Sequence, residues 1–335
     1  MAGRGYIAAV LLALGAAALV AWQLSTANDT TCFLKAVRAG SVTQPQKEHQ
    51  KKKYLTEHCT SKTFKTVVRH LSVEKPDELQ AKSALAVWIA LVAATAALAA
   101  FVGVRSAAII REVNPPRDAR FVGRCVGALA LIAVPFLLFQ GLPNLAHVEL
   151  SQFDGFEKAQ LRWIPLLIGV FVAPAVIGLE AIGRVASVRA LALPEAARLG
   201  SRLRELVGML GAILSLAVLD TAGRSQTIDK LPGGEAFPST IVLLWGSAFV
   251  LVLALLYLPV HQRWAAETAS LISDEVTRQL SGTPLPGTAG FRPVELSLRK
   301  ELNETLGVEG PLKSIRGSVA VLSPVIAAAV ASLFS

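Results

Sequence analysis

Four charged residues of this chain stand at the edges of long apolar runs, and they are the first candidates for chemistry. Glu180 precedes Arg184 by four residues, and Asp220 precedes Arg224 by the same interval. That spacing and order favour an ion pair along one helix face. Ionisable groups in or beside a membrane span are costly and are functional candidates by default. The expected chemistry is nonetheless modest. Glu180 with Arg184 and Asp220 with Arg224 read as interfacial pairs, because no apolar run carries a charge at its centre. A coupled transporter would place its polar site near the midplane.

A second set of reactive types falls between Gln23 and Ser83. Cys32 and Cys59 are two of the three cysteines, and His49, His58 and His70 are three of the five histidines. Outside the cytoplasm two such cysteines usually pair. A disulfide closing that loop would contribute about 3 kcal/mol by restricting the unfolded chain. The same residue types could bind zinc or copper, but no C-x-x-C or H-x-x-x-H spacing is present and a disulfide would consume the thiols. Lys51, Lys52 and Lys53 form the densest basic run of a segment with eleven basic and six acidic residues. Such a surface would attract anionic lipid, a cell-wall polymer or an acidic protein. Nucleic acid is not expected, since no aromatic stacking platform accompanies the lysines. Ser72 and Lys75 match S-x-x-K, yet the S-D-N and K-T-G elements of that chemistry are missing. No phosphate loop, dinucleotide fingerprint, metalloprotease motif or nucleophile elbow occurs, so no cofactor and no metal are expected.

The elements that position these residues follow from composition. The chain has 335 residues, 53% hydrophobic and only 17% charged, with mean hydropathy +0.52. The apolar residues fall in long runs separated by arginine-bearing segments, which excludes a soluble enzyme, a disordered chain and a coiled-coil rod. A β-barrel would show short alternating strands instead. The fold class is therefore an all-α polytopic bundle. Six runs read as spans: Tyr6–Trp22, Ala84–Val104, Cys125–Leu142, Trp163–Leu179, Leu206–Leu219 and Ile241–Val260. A seventh, Ser318–Phe334, is short and carries Pro324; it reads as a span or as a re-entrant helix. Leu206–Leu219 is also short and must borrow residues out to Arg204 and Ala222.

Residues 1–23 form a first span or signal anchor, and Ser25-Thr26-Ala27 also resembles a cleavage site. Residues 24–83 form the exported basic segment, 84–260 the bundle, 261–317 a cytoplasmic tail and 318–334 the last apolar helix. The short connections carry five, two, five and two Lys and Arg in turn. The positive-inside rule then puts the five-charge loops, the N-terminus and the tail in the cytoplasm of a plasma or inner membrane. Trp22, Trp88, Trp163 and Trp245 fall toward the outer ends of their runs, as an aromatic belt would place them.

In the tail, Trp264, Leu271, Ile272, Val276 and Leu280 share one helical stripe and predict an amphipathic helix on the membrane or against the bundle. A second helix is expected over Val294–Leu306, with Leu296, Leu298, Leu302 and Leu306 apolar. Gly123 and Gly127 form a G-x-x-x-G, a spacing that lets helices approach closely within a bundle or a homo-oligomer. Three function classes remain. The first is non-catalytic sensing, anchoring or scaffolding through the exported segment and the tail. The others are a channel or permease for a small solute, and a membrane-embedded enzyme.

Overall fold

The computed structural model describes residues 2–27, 78–131, 158–229, 239–280, 291–306 and 319–333. They form eight helices: α1 (Ala2–Ala27), α2 (Glu78–Val113), α3 (119–131), α4 (Lys158–Val188), α5 (Leu193–Asp229), α6 (Ser239–Leu280), α7 (Phe291–Leu306) and α8 (Val319–Leu333). Four contain stretches long and apolar enough to cross a membrane: Ser83–Val113, Leu167–Val188, Leu193–Thr227 and Val242–Leu280. Of the six runs expected to span and the possible seventh, these four meet the requirement among the described residues. The apolar part of α1, Ala9–Trp22, is shorter. The third run is described only as far as Leu131. α8 has 15 residues, about 22 Å of helix against a hydrocarbon core of about 30 Å.

Many large apolar side chains point outward, among them Leu14, Val87, Val126, Val170, Leu244 and Leu251. In water such a surface would aggregate; against lipid tails it carries no penalty. Inside, α2, α4, α5 and α6 share one core around Val102, Leu179, Ile182, Leu206 and Leu253. α1 lies along α2, and α8 fills the groove between α5 and α6.

Helix direction can be read from close contacts. A Cβ at Gly103 would meet Phe171, and one at Gly178 would meet Ile110. Both residue numbers rise together, so α2 and α4 run parallel. α3 packs Phe121, Cys125 and Ala128 on the shared core. α5 runs against α2, since Thr95 meets Asp220 while Arg105 meets Glu205. α6 runs back beside α5, from Val242 near Val218 to Trp264 near Ala196.

The helices outrun their apolar parts at one end. α5 has 37 residues and α6 has 42, where about 20 suffice to cross. The expected short fifth run is thus a long helix whose arginines lie on helical surface, and the amphipathic tail helix is the unbroken continuation of α6 through Pro259. Local signals set the ends. α2 stops at Asn114, which is left-handed (φ 45°) and donates its N–H to the Ile110 carbonyl at 2.9 Å; Pro115 and Pro116 prevent continuation. Asp118 caps α3 by accepting the Phe121 N–H at 2.8 Å. Glu195 reaches back to the Ala192 N–H at 3.4 Å and closes the turn into α5.

Of the two expected settings of the tail helix, the structure has the one against the bundle. Ile272, Val276 and Leu280 are buried with Leu306 of α7, against Leu193 and Ala197 of α5. Leu298 and Leu302 of the predicted stripe join this contact, while Leu296 points away. The aromatic belt needs one correction: Trp88 is buried inside the bundle as a core residue, and Trp264 of the tail stripe, 1% exposed, belongs to the core as well. The Trp163 side chain lies outside the described ones. The close helix approaches do not occur at Gly123 and Gly127, where an added Cβ would meet nothing within 4 Å among the described residues. They occur at Gly103, Gly200 and Gly246, singly and without a repeating motif.

Candidate functional site

The overrunning ends of α2, α4, α5 and α6 are tied together by charge. Arg105 Nε and Nη2 meet the two carboxylate oxygens of Glu205 at 2.5 and 3.1 Å. Arg202 donates to Glu205 at 2.8 Å and to Glu112 at 2.8 Å. Arg263 of α6 meets Glu180 of α4 at 3.5 Å, and Arg184 of α4 pairs with Asp118 before α3. Trp264 seals the layer from within, donating Nε1–H to the Ala196 carbonyl at 2.9 Å. Every one of these contacts joins two helices or a helix and a connection, except the local Arg202–Glu205 pair. The arrangement is a brace.

The expected pairing within α4 is therefore replaced. Glu180 and Arg184 stand at this end of the helix, but each turns to a different element, because the neighbouring charges of α6 and of the α2–α3 connection come within reach. Arg184, together with the Phe121 N–H, holds the Asp118 carboxyl below its ordinary range. A lowered carboxylate stabilises the folded state above its usual titration range and loses that contribution only as pH falls through the lowered value. The α3–α4 joint is thus fully formed at neutral pH.

Glu205 is the hub of the brace, accepting from two arginines on two helices. Glu205→Gln should lower stability by about 1–2 kcal/mol, after discounting charge-assisted bonds for partial solvent contact. Chemical or thermal unfolding in detergent checks this, and added salt should shrink the difference.

A shallow cleft of ≈ 50 Å³ opens beside the brace, between the ends of α2 and α4 and the start of α5. Arg189, Arg198 and Arg202 face it, with Glu112 and Glu195.

Asp220 is placed differently from expectation. Thr95 Oγ1 stands 2.8 Å from Asp220 Oδ2 and 3.0 Å from the Leu91 carbonyl. Thr95 lies about 15 Å along α2 from Arg105 and about 18 Å from Ser83, which is the middle of that apolar stretch. One turn farther along α5, Gly223 packs beside Leu91 and Trp88. Asp220 is therefore a carboxyl at mid-depth of the apolar belt, not a helix-end charge. Sequence reading missed this because even the extended fifth run stopped near Ala222, which leaves Asp220 at its edge; the helix continues to Asp229. Arg224 follows on the same helix. Asp220 Oδ1 is buried and has no hydrogen-bond partner.

Cys32, Cys59, Lys51, Lys52 and Lys53 lie outside the described residues. Among the described residues Cys125 is a buried free thiol, and no group of three or more metal-ligating side chains occurs. The braced residues Arg105, Glu112, Asp118, Arg202, Glu205 and Arg263 were missed by sequence reading. The signal available was the presence of acids, Glu112, Asp118, Glu195 and Glu205, within the arginine-bearing segments. No family model, no curated protein and no solved structure matches this chain.

Proposed function

We propose that this multi-pass membrane protein is a non-catalytic anchor or scaffold, with its braced end as a rigid platform at one membrane face. The observation that supports this reading is the overrun itself. Four helices leave the apolar belt together and are cross-tied by ion pairs, and α5, α6 and α7 continue a packed core around Ile272 and Val276. A platform of this kind holds its surface in a fixed register without moving parts. The arginine excess at that end favours the cytoplasm by the positive-inside rule. The exported segment 24–83 is then the opposite pole, where Lys51, Lys52 and Lys53 would engage anionic lipid, a cell-wall polymer or an acidic protein, and Cys32 and Cys59 would form a staple.

The topology is tested by tagging cysteines in intact cells with an impermeant maleimide. Two tags gained only after reduction are expected, on Cys32 and Cys59, with Cys125 protected by burial. Tagging that requires permeabilised cells would invert the topology. The scaffold reading itself is tested in proteoliposomes of the purified protein. Silence toward ions and small solutes is expected, and a saturable flux abolished by a single belt substitution would overturn it.

A permease is the second reading, and the mid-belt position of Asp220 is what favours it. Polar groups at that depth recur at transport sites. The same flux measurement separates the two.

A further inference from the structure

The contact between α2 and α5 has an unusual count of hydrogens. Thr95 owns one hydroxyl hydrogen but stands within bonding distance of two acceptors, the Leu91 carbonyl at 3.0 Å and Asp220 Oδ2 at 2.8 Å. Elsewhere in these helices the hydroxyls of Ser215, Thr221, Thr227, Ser247 and Thr268 donate to the carbonyl four residues back. If Thr95 does the same, the remaining 2.8 Å contact needs a hydrogen from the carboxyl. Asp220 Oδ1 adds to the argument, being buried without a partner. An ionised carboxylate in that position would be held by at most one shared hydrogen, where it needs several donors to offset the loss of water.

We infer that Asp220 and Thr95 form a proton-binding site in the membrane interior, with Asp220 carrying the bound proton on Oδ2 and donating it to Thr95 Oγ1. In that state both contacts are complete: Asp220 donates to Thr95, and Thr95 donates to Leu91. When the proton leaves to water, Thr95 can serve only one of its two acceptors, and the tie between α2 and α5 weakens.

The surroundings leave few other charges to consider. Ser83–Val104 of α2, the described side chains of α1, those of α8 and Val242–Leu256 of α6 contain no titratable group, nor does Leu167–Leu179 of α4. On α5, Arg224 lies one turn away on the side remote from the brace. Polar residues continue from there through Ser225, Gln226 and Thr227, whereas Met209–Leu219 holds only Ser215. The proton therefore enters from the face opposite the brace, and the site responds to the acidity of that compartment. This inference is independent of the platform reading, since a static scaffold and a permease could each carry it.

The test uses the full chain in lipid vesicles, treated with the apolar reagent dicyclohexylcarbodiimide, which adds only to protonated carboxyls reachable from lipid. Mass analysis of the peptide holding Asp220 should show one adduct, its yield falling along a single-proton curve as pH rises. A second measurement covers misfolding. Asp220→Asn keeps a neutral donor toward Thr95, so its unfolding temperature should not vary across the pH range over which the adduct disappears. The parent protein should lose stability through that range, because loss of the proton leaves Thr95 one hydrogen for two acceptors and weakens the tie between α2 and α5. Thr95→Val should move the labelling midpoint to higher pH, because the hydroxyl is the one donor that could ease the ionised carboxylate, and Thr95→Ser should restore it. No adduct at any pH at which the protein is folded, or an adduct with no pH dependence, would overturn the proposal. So would saturable protection by sodium at constant pH, which would make the site one for a metal cation.

Discussion

Trp264→Ala should destabilise the protein by about 3–5 kcal/mol, the range for deleting a large buried aromatic side chain. Two features place the effect in the upper part of that range. Trp264 lies beyond Arg202 and Glu205, outside the apolar belt, where burial removes surface from water. Within the belt, packing merely exchanges lipid contacts for protein contacts, and the hydrophobic effect between helices is absent. The indole also fills the space that Gly200 leaves open, and its N–H bonds the Ala196 carbonyl. Alanine would empty the joint between α5 and α6. Trp264→Phe should recover most of the loss, leaving about 1 kcal/mol for the missing hydrogen bond. Unfolding by graded denaturant in a fixed detergent distinguishes the three proteins. Equal stability of Trp264→Ala and the parent would mean that the braced end does not hold the bundle together.

Gly103→Val is the second large effect, and it acts by the opposite means. A Cβ at this position would lie 2.7 Å from the Phe171 carbonyl oxygen. That neighbour is backbone of α4 and has no rotamer to change, so the two helices must separate. Overpacking a well-filled core costs about 1–3 kcal/mol, and separation at Gly103 also loosens Val102 and Leu179, which are fully buried nearby in the same core. The internal comparison is Gly123→Val and Gly127→Val. Both glycines have open space around them, so those variants should remain within about 0.5 kcal/mol of the parent, as surface substitutions do. Thermal aggregation of the three proteins in one detergent gives the order. If Gly127→Val matched Gly103→Val, α3 would have to meet another helix there, within the chain or from a second copy.

The all-helical class and the apolar character were legible from composition alone, and four of the apolar runs overlap the candidate spans, which extend well beyond them. What misled was the assumption that an arginine ends a helix in a membrane protein. Arg198, Arg202 and Arg204 were read as loop charges, yet they sit on α5 because Glu112 and Glu205 await two of them and because helix continues into water without cost. Partner choice was illegible for a related reason. Four-residue spacing suggested Glu180 with Arg184, but Asp118 and Arg263 are distant in sequence and become neighbours only when α2, α4 and α6 pack. Asp220 shows the limit most clearly. Its depth depends on how far α5 slides against α2, and that register shows in Gly223 against Leu91 and Gly178 of α4 against both Leu206 of α5 and Ile110 of α2. Neither glycine belongs to a motif.

The position of α8 has a consequence for how the molecule is made. Ser323 donates to the Gly211 carbonyl at 3.2 Å, and Pro324 and Ala328 press on Gly246, so α8 seats on α5 and α6 at once. Both of its seats are synthesised earlier. From Leu280 to Leu333 a ribosome takes about 3–10 s at usual elongation rates. For that interval Val218, Ala222 and Val242, buried with Ala328 in the finished bundle, face lipid or whatever chaperone attends the nascent chain. Slowed elongation downstream of α6 would lengthen the exposure, and quality-control proteases would have that much longer to act.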